Sequence, residues 1–270
     1  MNAHSPDAAA TPDALSGIAL EARGLVRAFG GVKAVDGLDL DLREGTISGL
    51  IGPNGAGKST AFNLITGVLR AQAGTVRLRG ADISGLRPFR RARKGMIRSF
   101  QLSREFGRLT VLENLMLAPQ LQLGERLGAI FLNPRQVREA DERVYARAVE
   151  VLEISRLAPL RDEYAANLSG GQKKLLELAR TLMIECSVIL LDEPGAGVNP
   201  ALMNTLRDMI QELNRDHGKT FLIVEHDMDL IAMLCDPVIV MTEGRKLMEG
   251  SFDEVRRDAR VIEAYLGGAA

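Results

Sequence analysis

Residues 46–69 read "TISGLIGPNGAGKSTAFNLITGVL", and their pattern indicates the fold class. The part before Gly52 predicts a short strand, and the part after Ser59 predicts a helix. Between them, Gly52, Gly55 and Gly57 allow the backbone to curl so that successive N–H groups point inward, towards phosphate oxygens. Strand, loop and helix together match the P-loop motif in the structural context that the motif requires.

The side chains at the end of this loop predict the ligand. Lys58 can reach the β- and γ-phosphates of a nucleotide, and the Ser59 hydroxyl can ligate Mg²⁺. We therefore expect ATP and Mg²⁺ to bind here. The residues assigned to the phosphates are Gly52, Pro53, Asn54, Gly55, Ala56, Gly57, Lys58, Ser59 and Thr60.

A second motif, "VILLDEP" at 188–194, supplies carboxylates. Four apolar residues predict a buried strand, and Asp192 at its carboxyl end can hold Mg²⁺ indirectly. Glu193 points in a different direction and can orient and deprotonate the water that attacks the γ-phosphate. The alternative, that Glu193 is only a surface acid after a strand, leaves its place beside Asp192 unexplained.

Two further polar residues are candidates for the same site. His226 follows the strand-like "FLIVE", where a parallel sheet presents its ligand-facing end, so it can hydrogen-bond the γ-phosphate and the water. Gln101 in "IRSFQLS" closes an apolar run, and a neutral amide can sense Mg²⁺ and the attacking water without adding charge. On its own, this position leaves a structural role equally open. The predicted catalytic residues are Glu193, His226 and Gln101, and the predicted metal-binding residues are Ser59, Gln101 and Asp192.

The remaining pattern predicts an α/β fold. Alternating runs from residue 18 suggest short strands that are at least partly antiparallel, and the runs after 187 alternate with helices, which implies a parallel sheet. The intervening residues have a helical period. We therefore expect a P-loop NTPase (RecA-like) core with an antiparallel β subdomain and an inserted helical subdomain. The predicted divisions are a disordered tail at 1–17, the core with its β subdomain at 18–101 and 181–250, the helical subdomain at 102–180 and a C-terminal helix at 251–266.

Composition narrows the possible partners. The chain has 270 residues and a net charge of −1, so there is no global electrostatic case for nucleic acid. The basic stretch "RPFRRARKGMIR" at 87–98 predicts a helix ending at Gly95. It can face an acidic surface or phospholipid headgroups, but we favour a solvated helix face. Cys186 and Cys235 lack metal-site spacing and are expected to be packed, reduced thiols.

A second glycine loop, "LSGGQ" at 168–172, precedes another helix. The Ser169 hydroxyl and the amides of Gly170 and Gly171 make a phosphate-binding helix start, with Gln172 completing the loop. The P-loop site is already complete, and we expect this loop to lie remote from it. It therefore predicts two chains arranged head to tail, each lending "LSGGQ" to a nucleotide on the other.

These motifs together resemble the ATP-binding-cassette (ABC) ATPases, over about residues 18–266. They are the P-loop at 52–59, a glutamine loop at Gln101, the signature at 168–172, the Asp-Glu strand and a switch histidine at His226. The resemblance implies that Phe29 stacks on adenine. It also implies that "GAGVNP" at 195–200, here named the dimer-crossing loop, passes between the two subunits.

A narrower resemblance is to the ATP-binding subunits of branched-chain amino acid importers. It is carried by "FGGVKAVDG", "IRSFQ", "LDEPGAGVNP", "IVEHDM" and "VIEAYLGG". The chain departs from that branch in having the general "LSGGQ", and from the wider family in having Asn199 where aspartate is common. Related branches move urea or amides, and a similar relative serves lipopolysaccharide export.

This resemblance implies partners and a location. The partners are a second ABC ATPase subunit, identical or paralogous, integral membrane permease subunits and, indirectly, an extracytoplasmic substrate-binding protein. The chain would lie at the cytoplasmic face of the inner membrane, held there by the permease, with Leu102 and Phe106 as candidate permease contacts. An ABC ATPase acting on DNA or the ribosome is a rival, but two cassettes, a coiled coil or basic extensions are not seen. A small-molecule kinase leaves "LSGGQ" unexplained.

Overall fold

A computed structural model describes residues 17–98, 105–119 and 134–267. The predicted tail, apart from Gly17, lies outside the described residues. So do Gln101 and Leu102, so their predicted roles are not located in the structure.

The strands form two sheets. In chain order they are β1 (Ile18–Phe29), β2 (Val32–Arg43), β3 (Ile47–Ile51), β4 (Ala73–Leu78), β5 (Ala81–Asp82), β6 (Met96–Arg98), β7 (Val188–Asp192), β8 (Thr220–Val224), β9 (Val238–Thr242) and β10 (Arg245–Gly250). One sheet has the order β2-β1-β4-β5 and is antiparallel. The other has the order β10-β9-β3-β8-β7-β6, in which only the β9–β10 pair is antiparallel among the described strands. The predicted α/β class, with a parallel sheet and a separate antiparallel sheet, is confirmed.

The helices surround the parallel sheet. They are α1 (Lys58–Thr66), α2 (Pro88–Ala92), α3 (Val111–Met116), α4 (Pro134–Ile154), α5 (Gly170–Leu182), α6 (Pro200–Arg215), α7 (Met228–Leu234), α8 (Phe252–Arg257) and α9 (Ala259–Gly267). Single 3₁₀ turns at Ala158–Leu160 and Ala165–Asn167 connect α4 to α5. Helices α3 to α5 occupy the region predicted to be helical. The exact subdomain boundaries stay a prediction.

The parallel sheet separates two hydrophobic cores because successive side chains of a strand point to opposite faces. Leu190 and Leu222 enter the core that contains α1 and the antiparallel sheet. Ile189 and Leu191 enter the core formed with the later helices. Burial on both faces explains why these strands read as continuous apolar runs.

The basic segment differs from its prediction. Only Pro88–Ala92 is helical, and Arg91 is buried rather than solvated. Its guanidinium donates to the carbonyls of Leu64 and Ile65 at the end of α1, where the negative end of the helix dipole favours a cation. Burial lowers the pKa of Arg91 to about 10. The prediction of a solvated face is confirmed for four cations that are exposed, Arg87, Arg90, Arg93 and Lys94.

The C-terminal segment also differs from the single helix predicted at 251–266. It forms α8 and α9, and Asp258 lies between them with extended backbone. The Asp258 carboxylate accepts a hydrogen bond from the Arg260 N–H at 2.8 Å, which satisfies a donor at the start of α9. The extended backbone of Asp258 therefore ends α8, and its side chain caps the start of α9.

Two other expectations concern the chain as a whole. Cys186 and Cys235 are free and buried, which confirms packed thiols. Within the described ranges, no helix has the length and apolar character that a bilayer crossing requires.

Candidate nucleotide-binding site

The carboxyl end of β3 leads into the predicted P-loop, and two of its glycines, Gly52 and Gly57, are required by sterics. A Cβ on Gly52 would lie 2.2 Å from the Met241 carbonyl oxygen, and one on Gly57 would lie 2.1 Å from the Ala34 carbonyl oxygen. Gly57 also has φ of 93° and caps the N-terminus of α1. No other residue fits this path, so the loop can wrap closely around an anion at a helix start.

The Lys58 side chain folds back onto the P-loop backbone. Its Nζ donates to the carbonyl oxygens of Gly52 at 2.6 Å and Pro53 at 2.9 Å. Burial lowers the pKa of Lys58, and the negative charge of Glu193 opposes this shift. The Lys58 ammonium group is therefore held against the backbone of the loop. It is close enough to Glu193 for the two opposite charges to attract.

The turn between β9 and β10 contacts the P-loop, and no local sequence pattern predicts this contact. The Gly244 N–H donates to the Ala56 carbonyl at 3.0 Å, and the Gly244 carbonyl accepts from the Asp36 N–H at 2.9 Å. The C=O of Ala56 and the N–H of Gly57 share one planar peptide unit and point in opposite directions. Fixing the carbonyl therefore fixes the direction of an amide that can face phosphate.

Phe29 is the last residue of β1. It pairs with Val32 across the Gly30–Gly31 turn, and the two side chains are 46% and 71% exposed. The Arg27 guanidinium lies 4.8 Å from the Phe29 ring centroid. Val32 was not among the predicted site residues, and cross-strand pairing places it directly across this two-residue hairpin from Phe29. Together they form an apolar surface suited to a planar base.

Asp192 ends β7 in an ion pair that the sequence did not reveal. The Arg98 guanidinium donates to Asp192 Oδ2 at 2.8 Å and to the Asn63 side chain, and it lies 4.6 Å from the Phe62 ring centroid. Burial lowers the pKa of Arg98, and the charge of Asp192 opposes that shift. Arg98 therefore joins the P-loop helix α1 to the strand that carries Asp192.

Glu193 and His226 come together at the ends of neighbouring strands. Glu193 Oε1 lies 3.7 Å from His226 Nδ1, and both side chains are largely exposed. Glu193 has φ of 48°, a left-handed conformation that is uncommon for a residue with a side chain. Its N–H donates to the Val224 carbonyl at 2.8 Å, which holds the turn against β8. This backbone conformation turns Glu193 away from the direction of Asp192.

The signature loop is a capped helix start. The Ser169 hydroxyl accepts from the Gln172 N–H at 3.3 Å, and Gln172 Oε1 accepts from the Ser169 N–H at 2.8 Å. Gly171 packs against α6, since a Cβ there would lie 2.5 Å from Leu202. One turn further on, Lys174 Nζ lies 3.4 Å from the Glu193 carbonyl oxygen. The signature helix therefore lies nearer the Asp-Glu turn than the sequence led us to expect.

Ser59 and Asp192 fit a hard divalent cation, because hydroxyl and carboxylate oxygens are the ligands that Mg²⁺ prefers. Ser59 is exposed at the first turn of α1, and Asp192 keeps a carboxylate oxygen beyond the one that Arg98 engages. The arrangement can bind polyphosphate, hold a cation and place a carboxylate and an imidazole beside one another.

Comparison with known proteins identifies this arrangement. The ABC transporter family model matches residues 35–196, and a second model, the branched-chain amino acid ATP-binding cassette transporter, matches residues 245–270. The high-affinity branched-chain amino acid transport ATP-binding protein LivG of Salmonella typhimurium is 40% identical over 250 residues, which are 93% of this chain and 98% of the relative. The corresponding protein BraF of Pseudomonas aeruginosa is 38% identical over 251 residues, again 93% and 98% of the two chains.

A solved structure agrees with the sequence relatives. The ADP conformation of MJ1267, an ATP-binding cassette of an ABC transporter, superposes with a TM-score of 0.78 at 36% identity, covering 93% of this chain and 99% of the other. A nucleotide-free ATP-binding cassette from an ABC transporter gives a TM-score of 0.77 at 35% identity, covering 92% and 98%. The chain therefore belongs to the ABC transporter family, as one of its ATP-binding cassette ATPases.

Proposed function

We propose that this chain hydrolyses ATP to power a membrane importer of branched-chain amino acids. The observation that carries the substrate class is the match of residues 245–270 to the branched-chain amino acid cassette model. LivG and BraF, which align along almost their whole length, are named for transport of the same substrates. The selectivity itself would lie in the permease and the substrate-binding protein.

In this proposal the P-loop binds the phosphates of ATP, from Gly52 to Thr60. The backbone N–H groups of the loop and the Lys58 ammonium neutralise charge on the β- and γ-phosphates. Ser59, Asp192 and Gln101 would hold Mg²⁺, which would neutralise further charge on the phosphate oxygens and so favour attack by water. Phe29 and Val32 would cover the adenine ring.

Glu193 is the proposed general base. Its carboxylate would orient the attacking water and accept its proton, while His226, 3.7 Å away, hydrogen-bonds the γ-phosphate and the same water. Gln101 would complete the set by contacting the water. A carboxylate held in a left-handed turn is consistent with this assignment, since strained backbone is concentrated at functional sites.

Two such subunits, identical or paralogous, would bind head to tail. Each subunit would then contact the nucleotide on the other subunit through Ser169, Gly170, Gly171 and Gln172. The dimer-crossing loop would pass between the two subunits. ATP binding would close the dimer, and hydrolysis with product release would reopen it. The helical subdomain would pass this motion to a permease, which would keep the chain at the cytoplasmic face of the inner membrane.

Phe106 is the proposed permease contact within the described residues. Its side chain is 48% exposed, and its ring lies 5.3 Å from the Arg180 guanidinium. We expect Phe106→Ala to uncouple transport from ATP hydrolysis while basal ATPase activity is kept, whereas Phe89→Ala, at an equally exposed phenylalanine of α2, leaves both unchanged. Equal loss of transport and basal activity in Phe106→Ala would contradict this contact.

The test of the proposal is to tag the chain in its native host, purify it gently from membranes and identify the associated proteins. The expected partners are two multi-spanning permeases, a second cassette ATPase and an extracytoplasmic protein that binds leucine, isoleucine or valine. A binding protein that prefers urea or amides, or an association with lipopolysaccharide export, would replace the substrate. Ribosomes or DNA-repair proteins in place of permeases would remove transport from the proposal.

A further inference from the structure

We infer that Glu225 is a positioning residue that ties the loop of His226 to the dimer-crossing loop within one subunit. This inference rests on the proposed hydrolysis at Glu193 and adds to it a residue that contacts neither nucleotide nor water. It concerns how the reaction centre is linked to the surface that faces a second subunit.

Glu225 is a buried carboxylate at the end of β8. Its side chain is only 1% exposed, and glutamate is rarely buried to this extent without partners. Among the described residues, the donors to the Glu225 carboxylate are backbone N–H groups. Oε1 accepts from the Gly195 N–H at 2.7 Å, and Oε2 accepts from the His226 N–H at 3.0 Å. The Asp227 N–H adds a longer contact to Oε2 at 3.4 Å. Such charge-assisted bonds offset the cost of burying the carboxylate.

The two ends of this contact belong to different functional segments. Gly195 begins the dimer-crossing loop, two residues after Glu193, and His226 begins the turn after β8. A Cβ on Gly195 would lie 3.0 Å from Glu225 Oε1 and 2.9 Å from Met203 Cε, so glycine allows the carboxylate its close approach. One side chain thus bonds the amides of two loops that come from neighbouring strands.

The carboxylate also lies beside the imidazole. Glu225 Oε2 is 3.7 Å from His226 Nδ1, and Glu193 Oε1 lies at the same distance from that nitrogen. A displacement of the dimer-crossing loop would therefore move the Glu225 carboxylate, and with it the backbone and ring of His226. Docking of a second subunit against the dimer-crossing loop would in this way change the position of His226 through the buried Glu225 carboxylate.

The test compares Glu225→Gln with Asp229→Asn, a control that makes the same carboxylate-to-amide change at an exposed position of α7. An amide has one acceptor oxygen, so Glu225→Gln cannot accept from both loops as the carboxylate does. We expect kcat to fall roughly tenfold and the Hill coefficient for ATP to fall towards one, with the affinity for ATP and the Tm close to wild type. Asp229→Asn should behave as the wild-type protein does.

Two results would overturn the inference. One is an unchanged kcat and Hill coefficient in Glu225→Gln. The other is a parallel loss of ATP affinity, kcat and Tm, which indicates a purely structural role. If Glu225→Gln does not fold, hydrogen exchange of the wild-type protein decides instead. Protection of the Gly195 and His226 amides that rises together on addition of ATP supports the link, and a rise in only one of them contradicts it.

Glu193→Gln is measured in parallel to separate this inference from the proposed function. Full turnover in Glu193→Gln would remove the proposed reaction centre. Loss of turnover in Glu193→Gln, with Glu225→Gln unaffected, would leave the reaction centre standing and remove only the role of Glu225.

Discussion

His226 Nδ1 lies 3.7 Å from Glu193 Oε1, although the two residues are far apart in the chain. The parallel pairing of β7 with β8 produces this contact, because it brings the carboxyl ends of both strands to one edge of the sheet. A carboxylate and an imidazole at that edge, facing the P-loop that follows β3, form the reaction centre that we propose.

Glu193→Gln tests the base directly. We expect it to lower the rate of ATP hydrolysis roughly 10²- to 10⁴-fold, since an amide cannot accept the proton of water, while ATP binding is retained. Steady-state ATPase assays and nucleotide titrations measure the two quantities. Glu153→Gln, an exposed acid of α4, is the control and should keep full activity. Full turnover in Glu193→Gln would end the assignment.

Gly244→Ala tests the hydrogen bond from the Gly244 N–H to the Ala56 carbonyl of the P-loop. Gly244 has φ of 78°, and a Cβ there would lie 2.9 Å from the Ala34 carbonyl oxygen, so the turn must shift away from Ala34, which disturbs its hydrogen bond to Ala56. Gly80 has φ of 77° and nothing within 4 Å of such a Cβ, so Gly80→Ala carries the same backbone strain without the contact. Both variants should lose about 1–2 kcal/mol of stability from the left-handed conformation.

Only Gly244→Ala should weaken ATP binding, and we expect the dissociation constant to rise roughly tenfold because the loop amides are misplaced. Equilibrium titration with ATP and thermal unfolding give the two measurements. Equal ATP affinities for the two alanine variants would show that the β9–β10 turn does not position the loop.

Arg98 and Asp192 should be energetically coupled. Removing one partner leaves a partly buried charge unpaired, so Arg98→Met and Asp192→Asn should each lower the free energy of unfolding. The double variant should lose less than the sum, by about 0.5–3 kcal/mol, as contacting residues do in double-mutant cycles. Urea denaturation measures these values. The exposed pair Arg135 and Glu139 of α4 is the control, with an expected coupling of about 0.3–0.5 kcal/mol. Additive losses at Arg98 and Asp192 would show that their ion pair is not a link.

The buried thiols predict a pH dependence. Burial raises the pKa of Cys186 to about 11 and that of Cys235 to about 12, from an ordinary value of 9.0. Their contribution to stability is therefore complete below pH 9 and is lost as the pH rises through the raised values. At pH 8 a thiol-specific disulfide reagent should react slowly with the folded chain and rapidly in urea. Equally fast labelling in both states would contradict the burial.

The sequence predicted those parts of the site that depend on local pattern. The P-loop follows from glycine spacing between a strand and a helix, and the Asp-Glu turn follows from an apolar run that ends in acids. Phe29 was assigned through the family resemblance alone. Gln101 lies outside the described residues, so its predicted role stays a prediction.

The features that were missed depend on contacts between distant segments. Arg98 contacts Asp192, Gly244 contacts Ala56 and Glu225 contacts Gly195. No local sequence period indicates which strand ends become neighbours. Arg91 was misassigned for the same reason, since its partners are the carbonyls that end α1.

Coupling of ATP hydrolysis to amino acid import is measured as the ATPase rate of this chain in proteoliposomes. These contain the permeases, second cassette and binding protein that copurify with it. We predict that binding protein loaded with leucine, isoleucine or valine raises the rate above that with unloaded protein, and that Glu193→Gln abolishes the increase. A rate that does not respond to these amino acids, or that responds only to another ligand class, would show that this chain does not power their import.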